Sequence, residues 1–202
     1  MVPERAPASA PAPWTLRGNA TLICQRRGIL AFVQYTESNV GPYDELLWLA
    51  PFQRGPAGRA HQVPAIFVSS EASAHNGRIN WGLPKELARF ELTRLGTDRE
   101  LVRVTRGEET VASFARTVPR TGLPLDLRLL PRRARTLVQV LDGFCFETAP
   151  AARGAVRLTS VSQLRVHGDW LPEARSARWR PGIHVSSFAL FFPAARVFAL
   201  PR

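Results

Sequence analysis

Lys85 is the residue whose type most strongly suggests chemistry, because it is the only lysine in the chain. The 202 residues include 27 basic side chains, and all of the others are arginine. Arginine keeps its proton in proteins, whereas lysine can serve as a neutral amine. A chain that uses arginine wherever positive charge suffices makes its single lysine a candidate nucleophile. The alternative is the chance survival of one lysine.

Two stretches, 35–45 and 69–88, break the pattern of the rest of the chain. They mix small, polar and aromatic residues, and functional sites tend to lie where regularity breaks. A lysine in water is almost fully protonated at pH 7, and burial among apolar side chains favours the neutral amine that attacks ketones. Trp81, Leu83 and Leu87 are candidate walls for such a pocket. Glu37 is a candidate general acid or base, with a solvent-facing strand glutamate as the alternative. Asp44 and Glu45 are expected to be surface or turn residues.

Most of the chain alternates between apolar and polar residues, which predicts half-buried strands. Short turns such as Arg106–Glu108 separate them and favour hairpins. We therefore predict a mainly β (α+β) protein with a curved or closed antiparallel sheet, a cone-like barrel, and one or two short helices. The predicted strands cover residues 28–36, 43–50, 64–69, 90–92, 101–104, 111–114, 156–158 and 164–166.

Two short helical segments are predicted beside Lys85. Residues 70–74 suit a short helix capped by Ser69 or Ser70, and residues 84–88 suit a helical turn with Pro84 at its first position. Residues 1–13 are rich in proline and alanine, so we expect a disordered N-terminal tail followed by a single domain at 14–202.

Composition gives only weak indications of other functions. The net charge of +11 suggests an anionic partner, but the one tight cluster, at 132–135, has no interleaved aromatic residues to stack bases. We therefore expect no nucleic-acid partner. No apolar run is long enough for a membrane span or a signal peptide, so we expect no membrane partner and a cytoplasmic location. Cys24 and Cys145 lie among apolar residues without metal-ligand spacing, so no metal is expected.

The two irregular stretches resemble segments of the acetoacetate decarboxylase family. The first carries Tyr-Thr-Glu-Ser at 35–38, and the second carries Gly77-Arg78 followed by Pro84-Lys85. The resemblance spans roughly residues 35–90 and points to the compact, decarboxylase-like branch. It implies that Lys85 forms a Schiff base, that Glu37 is the active-site glutamate, and that no cofactor is needed.

Other site residues are expected around these two. Arg78 is a candidate for binding a substrate carboxylate or for tying the loop to backbone carbonyls, and Trp81 is a candidate pocket wall. Family members carry an N-terminal arginine that positions substrate, and Arg17 or Asn19 is expected in that place. We expect two more amides to order the loop: Asn76 and Asn80.

Glu86 is a departure from the family pattern. The well-known decarboxylases carry a second lysine at that position, so we expect acetoacetate decarboxylation to be weak or absent. The sequence thus predicts a Schiff-base enzyme acting on a small oxo acid, of decarboxylase or of aldolase or dehydratase type. The alternative is a noncatalytic small-molecule binding protein on the same fold. We also expect a homo-oligomer.

Overall fold

The computed structural model describes residues 7–55, 58–119 and 122–200, and strands dominate these ranges. The mainly β class predicted from the alternation is confirmed. The strands are β1 (Trp14–Gln25), β2 (Gly28–Glu37), β3 (Tyr43–Gly55), β4 (Gly58–Val68), β5 (Lys85–Leu87), β6 (Arg89–Arg94), β7 (Arg99–Arg106), β8 (Glu109–Thr117), β9 (Leu123–Asp126), β10 (Leu137–Leu141), β11 (Phe144–Thr148), β12 (Ala151–Val166), β13 (Ala177–Phe192) and β14 (Arg196–Ala199).

The strands form one large sheet, in the order β14-β11-β10-β4-β3-β2-β1-β13-β12-β8-β7-β6. Strand β5 pairs with β4, and β9 pairs with β12, beside this path. The β4 pairings with β5 and β10 are parallel, and the other pairings are antiparallel. Within the described ranges the path does not close on itself, so the closed-barrel form of the prediction is wrong. The largely antiparallel sheet is correct.

Alternation along β1, β2 and β3 sends side chains to two separate cores. Leu30, Phe32 and Leu46 belong to one core, and Val33 and Tyr35 belong to the other. Successive residues of a strand face opposite sides, so these strands are buried on both faces. Full burial stabilises each large apolar side chain by roughly 1.5–3 kcal/mol. The three strands are therefore held firmly in place, and they fix the positions of the polar side chains that they carry.

The α-helix α1 (Glu71–Trp81) follows β4 directly. Ser70 caps its first turn by accepting a hydrogen bond from the Ser73 amide, as the sequence predicted, and the helix is longer than predicted. It ends at Gly82, whose φ of 63° lies in the left-handed region that glycine tolerates. One face of the helix is buried against the sheet: Ser73, Asn76, Gly77 and Trp81.

The predicted helical turn at 84–88 is wrong, because Lys85–Leu87 forms strand β5. These residues pair in parallel with Ile66–Val68 of β4. Pro84 at a helix start and the adjoining residues suit a helix locally, but the free edge of β4 offers hydrogen bonds that a single turn lacks. Two short 3₁₀ helices occur elsewhere, at Leu127–Leu129 and Arg132–Arg135.

Part of the predicted N-terminal tail is held against α1. The Asn76 amide donates to the carbonyl of Ala8 and accepts from the backbone of Ala10 at 2.7 Å, and Asn80 donates to the Ala10 carbonyl at 2.9 Å. The prediction of a tail over 1–13 therefore does not describe residues 8–10, while residues 1–6 lie outside the described ranges. In the described part of the chain, no helix is long and apolar enough to cross a membrane.

Candidate active site

Lys85 is positioned by β5 on one side and by α1 on the other. It pairs with Ile66 of β4, and its methylene chain runs across the helix at Gly77. A Cβ atom added at Gly77 would lie 2.7 Å from Lys85 Cδ and 2.8 Å from Cε, closer than carbon atoms pack. The glycine of the Gly77-Arg78 pair is thus explained by the close approach of the lysine chain.

The amine of Lys85 is buried in a polar setting. Its Nζ atom donates to Glu45 Oε2 at 2.7 Å and to Ser73 Oγ at 2.9 Å, and it lies 5.2 Å from the centre of the Tyr43 ring. The Lys85 and Glu45 side chains are each only 4% exposed. The sequence predicted a largely apolar pocket, whereas the groups that touch the amine are a carboxylate, a hydroxyl and an aromatic ring.

Two tyrosines extend these contacts. Tyr35 donates from its hydroxyl to Glu45 Oε1 at 3.2 Å, and the Tyr43 ring lies beside both the Lys85 amine and the Tyr35 ring. The two phenol rings lie 4.6 Å apart. Burial, with the nearby Glu45 carboxylate as a further cause, holds the pKa of each tyrosine well above its usual value. Both tyrosines are therefore proton donors at neutral pH.

This arrangement places a proton acceptor in contact with the amine. Burying an ammonium and a carboxylate removes both from water, which costs several kcal/mol per ion before their attraction is counted. Transfer of one proton from Lys85 to Glu45 converts the pair into a neutral amine and a neutral acid, which need much less solvation. Glu45 is therefore the group placed to accept a proton from the Lys85 amine.

Glu45 is the buried partner of Lys85 that sequence reasoning missed. It was expected to be a surface or turn residue, and this was wrong, because it is buried. Glu45 lies two residues after Tyr43 and therefore on the same face of β3, while Tyr43 pairs with Tyr35 of β2. The spacing Tyr-x-Glu, after a strand that carries a tyrosine two residues before its end, was the available signal.

Glu37 lies at the surface, where β2 ends. Its carboxylate is 3.5 Å from Arg17 Nε, and both side chains are mostly exposed. Together with Asn19 and Phe188, these two residues line a surface depression of about 250 Å³. The structure therefore does not bring Glu37 into contact with the Lys85 amine. The reason is that β2 leaves the core after the buried Tyr35.

The other predicted residues divide between support and the surface. Arg78 is exposed and reaches the Lys85 carbonyl at 3.5 Å, which fits the loop-tying alternative. Trp81 is buried against Trp14 and donates to the Pro193 carbonyl at 2.7 Å, so it packs the core. Of the two leucines proposed with it as walls, Leu83 is buried, but Leu87 is 44% exposed.

Glu86 points away from the amine. Its carboxylate lies 2.9 Å from Arg106 Nη1 and is partly exposed. Adjacent residues of a strand face opposite sides, so once Lys85 points inward, Glu86 is directed outward. The charge next to the amine is set by Glu45 rather than by Glu86.

A second buried polar cluster surrounds Arg116. Its guanidinium donates to Glu100 at 2.7 Å and to Thr21 at 3.0 Å, and it lies over the Phe32 ring of the other core. Thr21 also contacts His184 Nδ1 at 3.3 Å. Burial, with Arg116 as a further cause, lowers the pKa of His184 to about 4. This cluster makes no described contact with Lys85.

Comparisons with known proteins place these observations in context. The family model described as acetoacetate decarboxylase (ADC) matches residues 22–163. This match includes Tyr35, Glu45, Ser73 and Lys85. A comparison with curated protein sequences finds no significant match.

Solved structures share the fold at low sequence identity. Acetoacetate decarboxylase from Legionella pneumophila subsp. pneumophila str. Philadelphia 1 is 14% identical, with a TM-score of 0.62 over 98% of this chain and 93% of that chain. The enduracididine biosynthesis enzyme MppR complexed with pyruvate is 14% identical, with a TM-score of 0.63 over 93% and 90%. An acetoacetate decarboxylase-like enzyme from Sphingomonas wittichii RW1 is 12% identical, with a TM-score of 0.57 over 100% and 98%.

Proposed function

Since the chain belongs to the acetoacetate decarboxylase family, we propose that it is an enzyme that forms a Schiff base between Lys85 and a small oxo acid. The observation that carries the proposal is the contact of 2.7 Å between the only lysine amine and the buried Glu45 carboxylate. The structures that share its fold include an enzyme with pyruvate bound, which is an oxo acid of this class.

The first step is activation of the amine. Lys85 passes a proton to Glu45 Oε2, and the neutral nitrogen attacks the carbonyl carbon of the substrate. A carbon–nitrogen bond forms while the carbonyl electron pair moves to oxygen, which takes a proton. The Ser73 hydroxyl, 2.9 Å from the amine, is placed to donate that proton and to take one from the nitrogen in return. Glu45 then gives its proton to the same oxygen, which leaves as water, and a protonated imine remains.

The protonated imine then accepts an electron pair from the neighbouring carbon. If a carbon–carboxylate bond breaks, carbon dioxide leaves, and if a carbon–hydrogen bond breaks, the proton goes to Glu45. Either route gives an enamine that takes up a proton or attacks an aldehyde, and water then releases the product and restores Lys85. Tyr35 donates to Glu45 Oε1 throughout and keeps the carboxylate directed at the amine. Arg17, at the mouth of the surface depression, is available to the substrate carboxylate.

Decarboxylation of acetoacetate itself is expected to be weak or absent. The amine has a carboxylate as its charged neighbour, and in the described part of the chain no second cation touches it. A turnover of roughly 1–1000 per second, typical of enzymes, would contradict this expectation. Release of carbon dioxide from acetoacetate by the purified protein measures it directly.

A noncatalytic binding protein is the second candidate. The observation that favours it is that both Glu45 oxygens and the Lys85 amine already have hydrogen-bond partners. In that case the buried ion pair would serve to hold α1 and β5 against β3.

Borohydride trapping separates the two candidates. The protein is incubated with a panel of small oxo acids and reduced with borohydride, and the adduct is located by peptide mass mapping. We expect a reduced adduct on Lys85 with at least one oxo acid. Because Lys85 is the only lysine, an adduct elsewhere can form only at the N-terminal amine.

Two variants control the trapping experiment. Lys85→Ala should abolish the adduct, and Glu45→Gln, which keeps the shape of the side chain but not its basicity, should slow adduct formation at neutral pH. A Lys85 side chain that never traps any oxo acid, in a protein that still binds one of them by calorimetry, would support the binding protein instead.

A further inference from the structure

The Lys85 site is closed in the structure, so a substrate has to displace a side chain to reach it. The amine and the Glu45 carboxylate are almost fully buried, and their partners Ser73, Tyr35 and Tyr43 are buried as well. If the proposed chemistry occurs here, some part of this wall must open. The opening is expected at a residue that packs against this wall and also lines a depression at the protein surface.

Phe188 meets both conditions. It lines the depression of about 250 Å³ at the surface, and its ring packs edge-on against Tyr35 with the centroids 5.8 Å apart. Tyr35 in turn contacts Glu45, which contacts Lys85. Phe188, backed by Tyr35, thus stands between the depression and the Glu45–Lys85 pair.

The backbone next to Phe188 adopts a conformation that is unusual for a residue within a strand. Ser187 has a φ of 49°, which is uncommon for a residue other than glycine. The Asn19 side chain accepts a hydrogen bond from the Ser187 amide at 3.0 Å and holds this conformation. Such local strain concentrates at functional sites, and a bulge redirects the side chain that follows it.

The neighbouring strands accommodate this irregularity with glycines. The pairing of β13 with β1 shifts register beside Gly18, and its pairing with β12 shifts beside Gly154. A Cβ added at Gly154 would lie 3.1 Å from Phe188 Cβ, which is tighter than ordinary packing. A residue with a side chain at 154 would press against Phe188, and glycine avoids this contact.

We infer that Phe188 is the aperture through which substrate reaches Lys85, and that it limits the proposed enzyme to short, unbranched oxo acids. This inference rests on the proposed Schiff-base function for its substrate class. The aperture itself can be tested without turnover, because the chain contains one lysine.

Amine labelling measures access to Lys85 directly. The folded protein is treated with amine-reactive reagents of increasing size, and peptide mapping gives the labelling of Lys85 relative to that of the N-terminal amine. We expect Phe188→Ala and the milder Phe188→Leu to raise the relative labelling by bulky reagents about tenfold or more. Phe191→Ala is the matched control, since Phe191 lies on the same strand and is already exposed.

Phe188→Trp distinguishes an aperture from a merely loosened core. A larger ring should lower the labelling of Lys85, and destabilisation of the protein would raise it instead. If Phe188→Ala and Phe188→Leu leave the labelling ratio unchanged, or if Phe188→Trp raises it, the inference is overturned.

Trapping then tests the limit on the substrate. The wild-type protein should trap pyruvate in preference to an oxo acid branched beside its carbonyl, and Phe188→Ala should reduce that preference about tenfold, the scale on which one or two methyl groups are discriminated. An unchanged preference overturns the size limit. No trapping of any oxo acid, together with the expected labelling changes, contradicts the proposed function and leaves Phe188 as the passage to the amine.

Discussion

Replacing Gly77 by alanine tests whether the position of the Lys85 amine is what the site depends on. The added methyl carbon would meet two methylenes of Lys85 at 2.7 and 2.8 Å, whereas carbon atoms pack at about 3.5–4.0 Å. The lysine chain therefore has to move by about 1 Å. A shift of that size takes the amine out of hydrogen-bond range of Glu45 and Ser73, which it now reaches at 2.7 and 2.9 Å.

Two opposing free-energy terms set the effect on stability. Alanine favours a helix over glycine by about 1 kcal/mol. The loss of two hydrogen bonds to a charged group costs about 1.5–3 kcal/mol each. We therefore expect Gly77→Ala to lower the free energy of unfolding by about 2–5 kcal/mol, although the higher helix propensity of alanine alone would raise it.

The loss of activity should be larger than the loss of stability suggests. A displacement of about 1 Å at a reacting group costs about 100-fold in rate. The assay is the rate of borohydride trapping at Lys85, read beside urea unfolding of the same sample. The matched control is His75→Ala, at an exposed position of the same helix, which should change neither trapping nor stability appreciably. A Gly77→Ala protein that is more stable and traps at the wild-type rate would refute the reasoning.

Three further changes test the surroundings of the site. Lys85→Met should lower the free energy of unfolding by about 3–5 kcal/mol, because Glu45 is left buried and unpaired. Adding Glu45→Gln should restore most of that loss, as urea unfolding would show. Equal losses in the single and the double variant would contradict a buried ion pair. The pKa of His184 falls from about 6.5 in the unfolded chain to about 4 in the fold, so its contribution to stability is complete above pH 6.5 and is lost as the pH falls toward 4. His184→Asn should reduce the loss of unfolding free energy between neutral and acid pH by up to about 3 kcal/mol, as unfolding measured at several pH values would show. If the variant and the wild-type protein lose the same free energy between pH 7 and pH 4.5, the fold does not lower the pKa of His184. Glu86→Gln should alter the free energy of unfolding by about 1 kcal/mol or less and keep the trapping rate within about twofold of the wild-type rate, since the carboxylate is directed at Arg106. A large rise in the trapping rate would show that Glu86 acts on the amine.

The strands and the burial of the single lysine could be predicted from residue types alone, and other features could not. Alternation shows which face of a strand is buried, but it does not show which polar residue is buried with that face. Glu45 was therefore interpreted as a solvent-facing residue. Its burial depends on Lys85, a partner 40 positions away along the chain, and pairing across that distance leaves no local pattern.

Irregular backbone accounts for two other differences. The predicted strands at 156–158 and 164–166 are parts of the single strand β12, and alternation fails between them because the pairing with β8 shifts register beside Gln163, whose φ is 54°. Residues 84–88 were predicted as a helical turn because Pro84 suits that position, but pairing with β4 outweighs one turn of helix. In both places a contact distant in sequence overrides the local preference.

The hydrogen bonds around Lys85 also have a bearing on the order of folding. Their residues come from one stretch of chain, and the bonds span separations of 10, 12 and 40 residues. The contact that orients the Phe188 region, from Asn19 to Ser187, spans 168 residues. Because short loops close at lower entropic cost than long ones, we expect the surroundings of Lys85 to assemble before the first and last long strands meet over them. The residues that contact Lys85 and the residues that screen it from outside are thus encoded in separate parts of the sequence.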